Sequence, residues 1–247
     1  MFGKSLHADL WKMKGTSVIL AHILIPVITS GVFLLYYSFS PWDISTKVTA
    51  FYQAIGAGLP ALIGIFTASV MEQEQNAGGF QNMLLLPNKR IAFLSKLSLL
   101  LLLGLFSVLL TAIVFGFGFE RMTGNHIGNI RICLQVAFVL WGSSIPLYIW
   151  QMILAFQFGK GVSVSIGILS SLTSALMLTG LGDYIWKLLF VSWTGRIPFT
   201  YLKLVLGETG AGDEFLTVIP CYCIFTVISM VCYLLWTVQW EGSKVSE

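Results

Sequence analysis

The sequence predicts an all-α integral membrane protein, six transmembrane helices preceded by a short interfacial helix. Two observations carry this. Six stretches of at least 22 residues hold no Asp, Glu, Lys or Arg: Gly15–Trp42, Val48–Met71, Leu97–Phe119, Ile132–Gly159, Gly161–Gly182 and Phe215–Trp240. They take up 151 of 247 residues, which confines the 14 basic and 11 acidic side chains to the remainder. A bilayer core of about 30 Å is crossed by roughly 20 apolar helical residues, so each stretch is long enough. The second observation is composition: 56% hydrophobic, 10% charged, mean hydropathy +0.84. A soluble helical domain would place charges in every helix to solvate one face. Ten-residue alternating segments of a membrane barrel are absent from the sequence, and helices satisfy their own backbone in lipid.

Taken in order, residues 1–14 place Phe2, Leu6, Leu10 and Trp11 near helical spacing, with Lys4, His7, Lys12 and Lys14 between them. This predicts an amphipathic helix on the inner leaflet, its lysines near anionic headgroups. The spans are expected at approximately 16–38, 49–71, 95–118, 132–157, 161–181 and 216–239. All belong to one domain, 1–247, since too few residues lie outside the apolar runs to build another. The first run exceeds a signal-peptide core of about 7–15 residues, so it is expected to remain as an anchor. Pro26, Pro60, Pro146 and Pro220 fall inside spans. Each removes a backbone donor that a neighbouring helix can replace, as a hinge or as ordinary membrane-helix content. In span five, Ser163, Gly167, Ser170, Ser171 and Ser174 form a small-residue stripe. It predicts close helix packing within the subunit or against a partner, with a polar pathway lining as the alternative. Gly159-Lys160-Gly161 leaves room only for a tight turn before it.

Basic residues orient the bundle. An inside N-terminus puts Lys4, Lys12, Lys14, Lys89, Arg90, Lys96, Lys160 and Lys244 in the cytoplasm, against Lys47, Arg121, Arg131, Lys187, Arg196 and Lys203 outside. The last three lie in one long, partly apolar connector, so both termini are expected in the cytoplasm, with the chain multi-pass in the cell membrane.

Several function classes are excluded. A net charge of +3 carries no signature of nucleic-acid binding. Cys133, Cys221, Cys223 and Cys232 all sit in charge-free runs without metal-ligand spacing and read as packing residues. No run contains a carboxylate, which argues against a proton- or sodium-coupled carrier. His22 is the one ionisable substitute, more simply a packed and hydrogen-bonded residue. The three histidines, His7, His22 and His126, have no Glu at i+4, and no Ser–His pair supports an intramembrane hydrolase. A Gly-rich Lys-Ser/Thr phosphate loop is also missing from the sequence, so any ATP and Mg are expected on a partner.

The connector between spans two and three, Met71 to Lys96, carries the most information. It opens with Glu72 and Glu74, turns apolar in its middle, and reaches Pro87-Asn88 before a basic cluster. Ala77, Phe80, Met83 and Leu84 share one helical face at spacings of three and four. A short helix outside the bilayer is therefore expected over 74–87, with an apolar side that needs a cover: a groove on another protein, or the headgroup layer.

The run Glu72, Glu74, Gly79, Leu84, Leu85, Pro87, Arg90 and Lys96 resembles ABC-2-type exporter permeases. The blocks LLYYSFSPW (Leu34–Trp42) and EQEQNAGGFQNMLLLPNKRIAFLSK (Glu72–Lys96), with the leucine-rich span behind them, are similar to the MutG-type (LanG) permease subunits of lantibiotic immunity transporters. The resemblance implies a non-catalytic subunit of an ABC exporter that expels a lantibiotic peptide from the membrane. It implies pairing with a second, different permease and two copies of an ATPase. Residues 74–87 would be the cytoplasmic coupling helix, with Glu72, Glu74, Ala77, Gly79, Phe80, Met83, Leu84, Pro87 and Arg90 coupling to the ATPase. It further implies re-entrant helices in the outer connector Asp183–Glu214. There Asp183, Trp186, Trp193, Arg196, Glu208, Asp213 and Glu214 are candidate contacts for a cationic peptide, the alternative being an aromatic interface belt with solvated charges. A permease for another lipid-like or peptide substrate, or a non-transporting sensor subunit, are the competing readings.

Overall fold

The computed structural model describes residues 2–85, 88–124 and 129–242, and over these it is helical, with no strand. Helix α1 covers Phe2–Met13, α2 Ser17–Phe39, α3 Ile44–Asn76, α4 Gln81–Leu84, α5 Lys89–Thr123, α6 Ile130–Phe158 and α7 Lys160–Met177. Three short 3-10 turns at Gly180–Gly182, Trp186–Leu188 and Phe190–Ser192 lead to α8, Trp193–Val205, and α9, Ala211–Gln239, closes the bundle. Six of these, α2, α3, α5, α6, α7 and α9, are long and apolar enough to cross a membrane. Each overlaps one of the six expected spans, with different ends. At 33 and 35 residues, α3 and α5 are about 50 Å long, well beyond the roughly 30 Å of a bilayer core.

Local chemistry sets the boundaries. Asp43 accepts from the Thr46 backbone N–H to start α3, and Asn88 and Asn129 cap α5 and α6 in the same way. Hydrogen bonds from Ser45 and Thr46 hold the Asp43 carboxyl well below the usual carboxylate range. The fifth span is shorter than the expected 161–181, because the chain folds back at Gly182 against the α7 terminus. A Cβ on Gly182 would lie 2.1 Å from the Met177 carbonyl oxygen, so only glycine makes this turn.

Three of the four span prolines are stitched by neighbouring helices. Pro26 strands the His22 carbonyl, which accepts from Ser107 Oγ at 3.1 Å. Pro146 strands the Gly142 carbonyl, which accepts from the Tyr222 hydroxyl at 2.6 Å. Beside Pro60, Ser171 Oγ accepts from the Ala61 N–H at 2.9 Å and donates to the Gly58 carbonyl at 3.3 Å. The small-residue stripe packs within the chain: α7 lies on α3 so closely that a Cβ on Gly64 would come 2.8 Å from the Ser163 carbonyl oxygen and 3.0 Å from Gly167 Cα. Ser163 Oγ, buried, donates to the Gly64 carbonyl and pairs with Thr67 Oγ1 at 3.1 Å.

The connector after α7 is not a surface belt. The start of α8 presses on α3 at Gly56, where a Cβ would meet the Thr194 carbonyl oxygen at 2.2 Å. Gly56 lies twelve residues into α3, about 18 Å along its axis, so the connector enters the bundle.

Candidate functional site

Glu72 to Arg90 does not form the continuous helix expected over 74–87. Helix α3 runs on to Asn76, Ala77 caps it, and Gly78 and Gly79 both adopt positive φ. Phe80 follows at φ 67°, an unusual left-handed conformation for a bulky residue. A single turn, α4, then spans Gln81–Leu84. The paired glycines break the helix by supplying backbone geometry that other residues resist. Pro87, with Leu86, lies outside the described residues.

This break turns the apolar side inward. Phe80 and Met83 are buried, Leu84 is partly buried, and Leu85 is 82% exposed. Phe80 sits 5.4 Å from the Trp240 ring and 5.9 Å from Phe156. Phe93 of α5 packs against both, each at 5.1 Å. Trp240 is itself pinned, its Nε1 donating to the Phe156 carbonyl at 3.1 Å. The cover that the sequence asked of a partner or the headgroups is thus an aromatic clamp built by α5, α6 and the end of α9. What faces outward is the ridge Gln75, Asn76, Ala77, Gly78 and Gly79, then Gln81, Leu85, Asn88 and Arg90.

The acidic residues are likewise engaged within the chain. Lys96 Nζ lies 2.7 Å from both Asp9 Oδ1 and Glu74 Oε1, and all three side chains are buried. Lys12 Nζ adds a second ammonium on Glu74 at 2.9 Å, Ser95 donates to Asp9, and Gln73 donates to the Lys12 carbonyl. Two carboxylates and two ammoniums make a locally neutral knot joining α1, α3 and α5, the form in which buried charge is tolerated. Glu72 pairs with Lys160 at 2.8 Å across a solvated gap, tying α3 to the α6–α7 turn. Arg90 has an exposed side chain with no ion pair among the described residues. Of the proposed coupling residues, Ala77, Gly79 and Arg90 are exposed, whereas Glu74, Phe80 and Met83 brace the connector from inside. Asp9, Lys12, Phe156 and Trp240 were missed. One signal existed: Asp9 is the sole acidic residue before Asp43, in an otherwise basic helix.

At the opposite end, three of the seven candidate contacts are buried within the chain. Trp186 and Trp193 are fully buried, and Arg196 is buried with its guanidinium turned to the end of α7. Its Nε donates to the Met177 carbonyl, and Nη2 donates to the Thr179 carbonyl at 2.9 Å and Asp183 Oδ1 at 2.6 Å. A cation there satisfies the orphan carbonyls of a helix C-terminus. Asp183, Glu208 and Asp213 are exposed, and Glu214 is half-buried. They remain the reachable members of the set.

A family model described as an ABC-2 family transporter protein matches residues 5–179, from within α1 to the end of α7. The chain belongs to the ABC-2 transporter family. No curated protein and no solved structure matches it. An ABC-2 membrane domain is a transport component rather than a catalyst, and family membership implies an ATPase partner. The ABC-2 match takes in the charge knot and the connector, but α8, α9 and Trp240 lie beyond it.

Proposed function

We propose that this ABC-2 permease is the membrane subunit of an exporter that clears a lantibiotic from the cytoplasmic membrane and so confers self-immunity or resistance. Its connector end faces the cytoplasm, with both termini on that side. Two copies of an ATPase and a second, different permease complete the complex, with ATP and Mg held by the ATPase. The observation that carries this reading is the bracing of the connector. A connection of twelve residues between two helices would ordinarily be soft, yet here the charge knot holds one flank and the aromatic clamp the other. A braced protrusion on helices that outrun the bilayer can transmit a push; a loose one would absorb it. The motor contact is then the exposed ridge from Gln75 to Gly79 with Gln81, Leu85 and Arg90. On the far side, Asp183, Glu208, Asp213 and Glu214 offer acidic groups to a cationic peptide. The lantibiotic assignment is supported by the similarity of Leu34–Trp42 and Glu72–Lys96 to immunity permeases.

The test is reconstitution with the ATPase and second permease in vesicles. Lantibiotic should stimulate ATP hydrolysis by the wild type, and Leu85→Asp combined with Arg90→Glu should reduce that stimulation at least about tenfold while leaving insertion and thermal stability intact; a tenfold change corresponds to about 1.4 kcal/mol of contact. Undiminished stimulation in the double variant removes the ridge as the motor contact. Stimulation by other amphiphiles but not by lantibiotics removes the cargo assignment.

A further inference from the structure

Helix α1 meets α2 at an elbow, Lys14-Gly15-Thr16, where Gly15 turns the chain at φ 85°. Part of the amphipathic character of α1 is spent inside the chain: Met13 and Asp9 are buried, Leu6 packs on the core, and the Lys12 ammonium is taken by Glu74. What α1 leaves outside is a mixed face that includes Lys4, His7, Leu10, Trp11 and Lys14. Asp9 is the one carboxylate before Asp43, and it is buried, so this face presents cations without an acidic neighbour of its own. Neither Lys4 nor Lys14 enters an ion pair among the described residues.

The elbow is arranged in advance. Trp11 Nε1 donates to His7 Nε2 at 3.2 Å, which fixes the indole, and Lys14 Nζ lies 4.7 Å from the indole centroid. An ammonium steadied over an aromatic face gives up less freedom on meeting an anion than a loose lysine does. Leu10, Trp11, Lys14 and Ile19 line an open groove of about 350 Å³. Ile19 stands in the first turn of α2, and Ile23, one turn further along the same face, is exposed. The groove therefore leads from an ammonium at the mouth of a membrane span onto the apolar surface of that span. Its surroundings at this level are the headgroup layer, where tryptophan settles. A phospholipid with net negative charge matches that order of surfaces, anionic head first and apolar tail after.

We propose that the α1–α2 elbow binds one anionic phospholipid of the leaflet at the connector end, its headgroup on Lys14 and an acyl chain along Leu10, Trp11, Ile19 and Ile23. The site differs from diffuse attraction to a basic helix. Lys4 lies ten residues from Lys14, about 15 Å along α1, beyond the screening length of about 10 Å. Since Asp9 and Lys12 tie α1 to Lys96 and Glu74, a lipid seated at the elbow also steadies the charge knot beside the connector.

The test uses the full-length protein in nanodiscs of phosphatidylcholine, alone or mixed with phosphatidylglycerol. A water-soluble acetylating ester modifies accessible lysines, and peptide mass spectrometry reads the rate at each. Phosphatidylglycerol should slow Lys14 roughly fivefold, the factor for one lysine beside an anionic headgroup, and Lys4 by less than about twofold. Trp11→Ala, at an exposed position, should bring the slowing of Lys14 down to that of Lys4. Phosphatidylglycerol should also raise the Tm of the wild type and of Lys4→Gln but not of Lys14→Gln, because a ligand of the folded state stabilises it. Equal slowing of Lys4 and Lys14, or a rise in Tm that Lys14→Gln retains, reduces the effect to diffuse charge and overturns the proposal. Slowing of Lys14 by glycerol phosphate in pure phosphatidylcholine nanodiscs would make the occupant a soluble phosphate and overturns it too, as does no slowing at all.

Discussion

Replacing Lys96 with Met should be among the most damaging single changes at the connector end. Lys96 Nζ lies 2.7 Å from Asp9 and 2.7 Å from Glu74, and the three side chains are 4%, 8% and 4% exposed. Without the ammonium, two carboxylates face each other in a site closed to solvent, with Lys12 reaching only Glu74. Removing one partner of a buried pair destabilises by about 3–5 kcal/mol, because the other partner is left uncompensated. At about 2–4 °C per kcal/mol for a chain of this size, that is a fall in Tm of roughly 6–20 °C. Lys12→Ala is the internal control. Its side chain is 38% exposed, so solvent screens the pair and the loss should stay under about 1 kcal/mol. Removing the three buried charges, with Asp9→Asn, Glu74→Gln and Lys96→Met together, should recover most of the lost stability, since the one charge left, Lys12, is partly exposed and can be solvated. Thermal denaturation followed by intrinsic tryptophan fluorescence in detergent reads all three. A Lys96→Met protein no less stable than Lys12→Ala, or a triple variant no better than Lys96→Met, would show that the knot is not held by its charges.

Three further outcomes follow from single contacts. Tyr222→Phe should cost about 1 kcal/mol by stranding the Gly142 carbonyl, and almost nothing in a Pro146→Ala background, where the restored N–H takes that carbonyl; additive losses in a double-mutant cycle on Tm would refute the repair. Gly64→Val should force α3 from α7, since its Cβ would meet the Ser163 carbonyl oxygen at 2.8 Å; a disulfide engineered between the two helices should form more slowly, and unchanged crosslinking counts against the close contact. Trp240→Ala should cost about 3–5 kcal/mol as a buried aromatic, and should raise amide hydrogen exchange at Gly78–Leu85 far more than at Ser17–Phe39; exchange that rises equally in both would mean the clamp does not hold the connector.

Charge-free length was enough to read the bundle, because the bilayer imposes it span by span: each of the six helices falls where an uncharged run had to be hidden from water. The proline repairs followed from general chemistry, but their partners did not. Ser107, Ser171 and Tyr222 lie 81, 111 and 76 positions from the prolines they serve, and nothing in one chain's spacing pairs them. Periodicity failed at the connector for a specific reason. Ala77, Phe80, Met83 and Leu84 share a face only if the backbone stays helical, and Gly78-Gly79 lies between the first two of them. Two adjacent glycines were a stop signal as legible as the apolar spacing, and the stop signal prevailed. The apolar face was real, yet its cover came from Phe93, Phe156 and Trp240, residues that no spacing in the sequence ties to the connector.

That reversal changes where a motor can act on this ABC-2 permease. An apolar helix seated in an ATPase groove could move alone, since its own contacts would be with the partner. A connector whose apolar residues are locked to α5, α6 and α9, and whose acidic flank is locked to α1 and α5, cannot shift without carrying those helices with it. Force applied to the polar ridge would then reach the bundle through packed rings and paired charges. At Pro26, Pro60 and Pro146 a single side-chain hydroxyl from a neighbouring helix bonds backbone groups at or beside the break in the ladder. Such hydroxyl bonds are individually worth about 1 kcal/mol, small beside a buried ion pair, so the helices should yield at the prolines before the connector yields at its anchors.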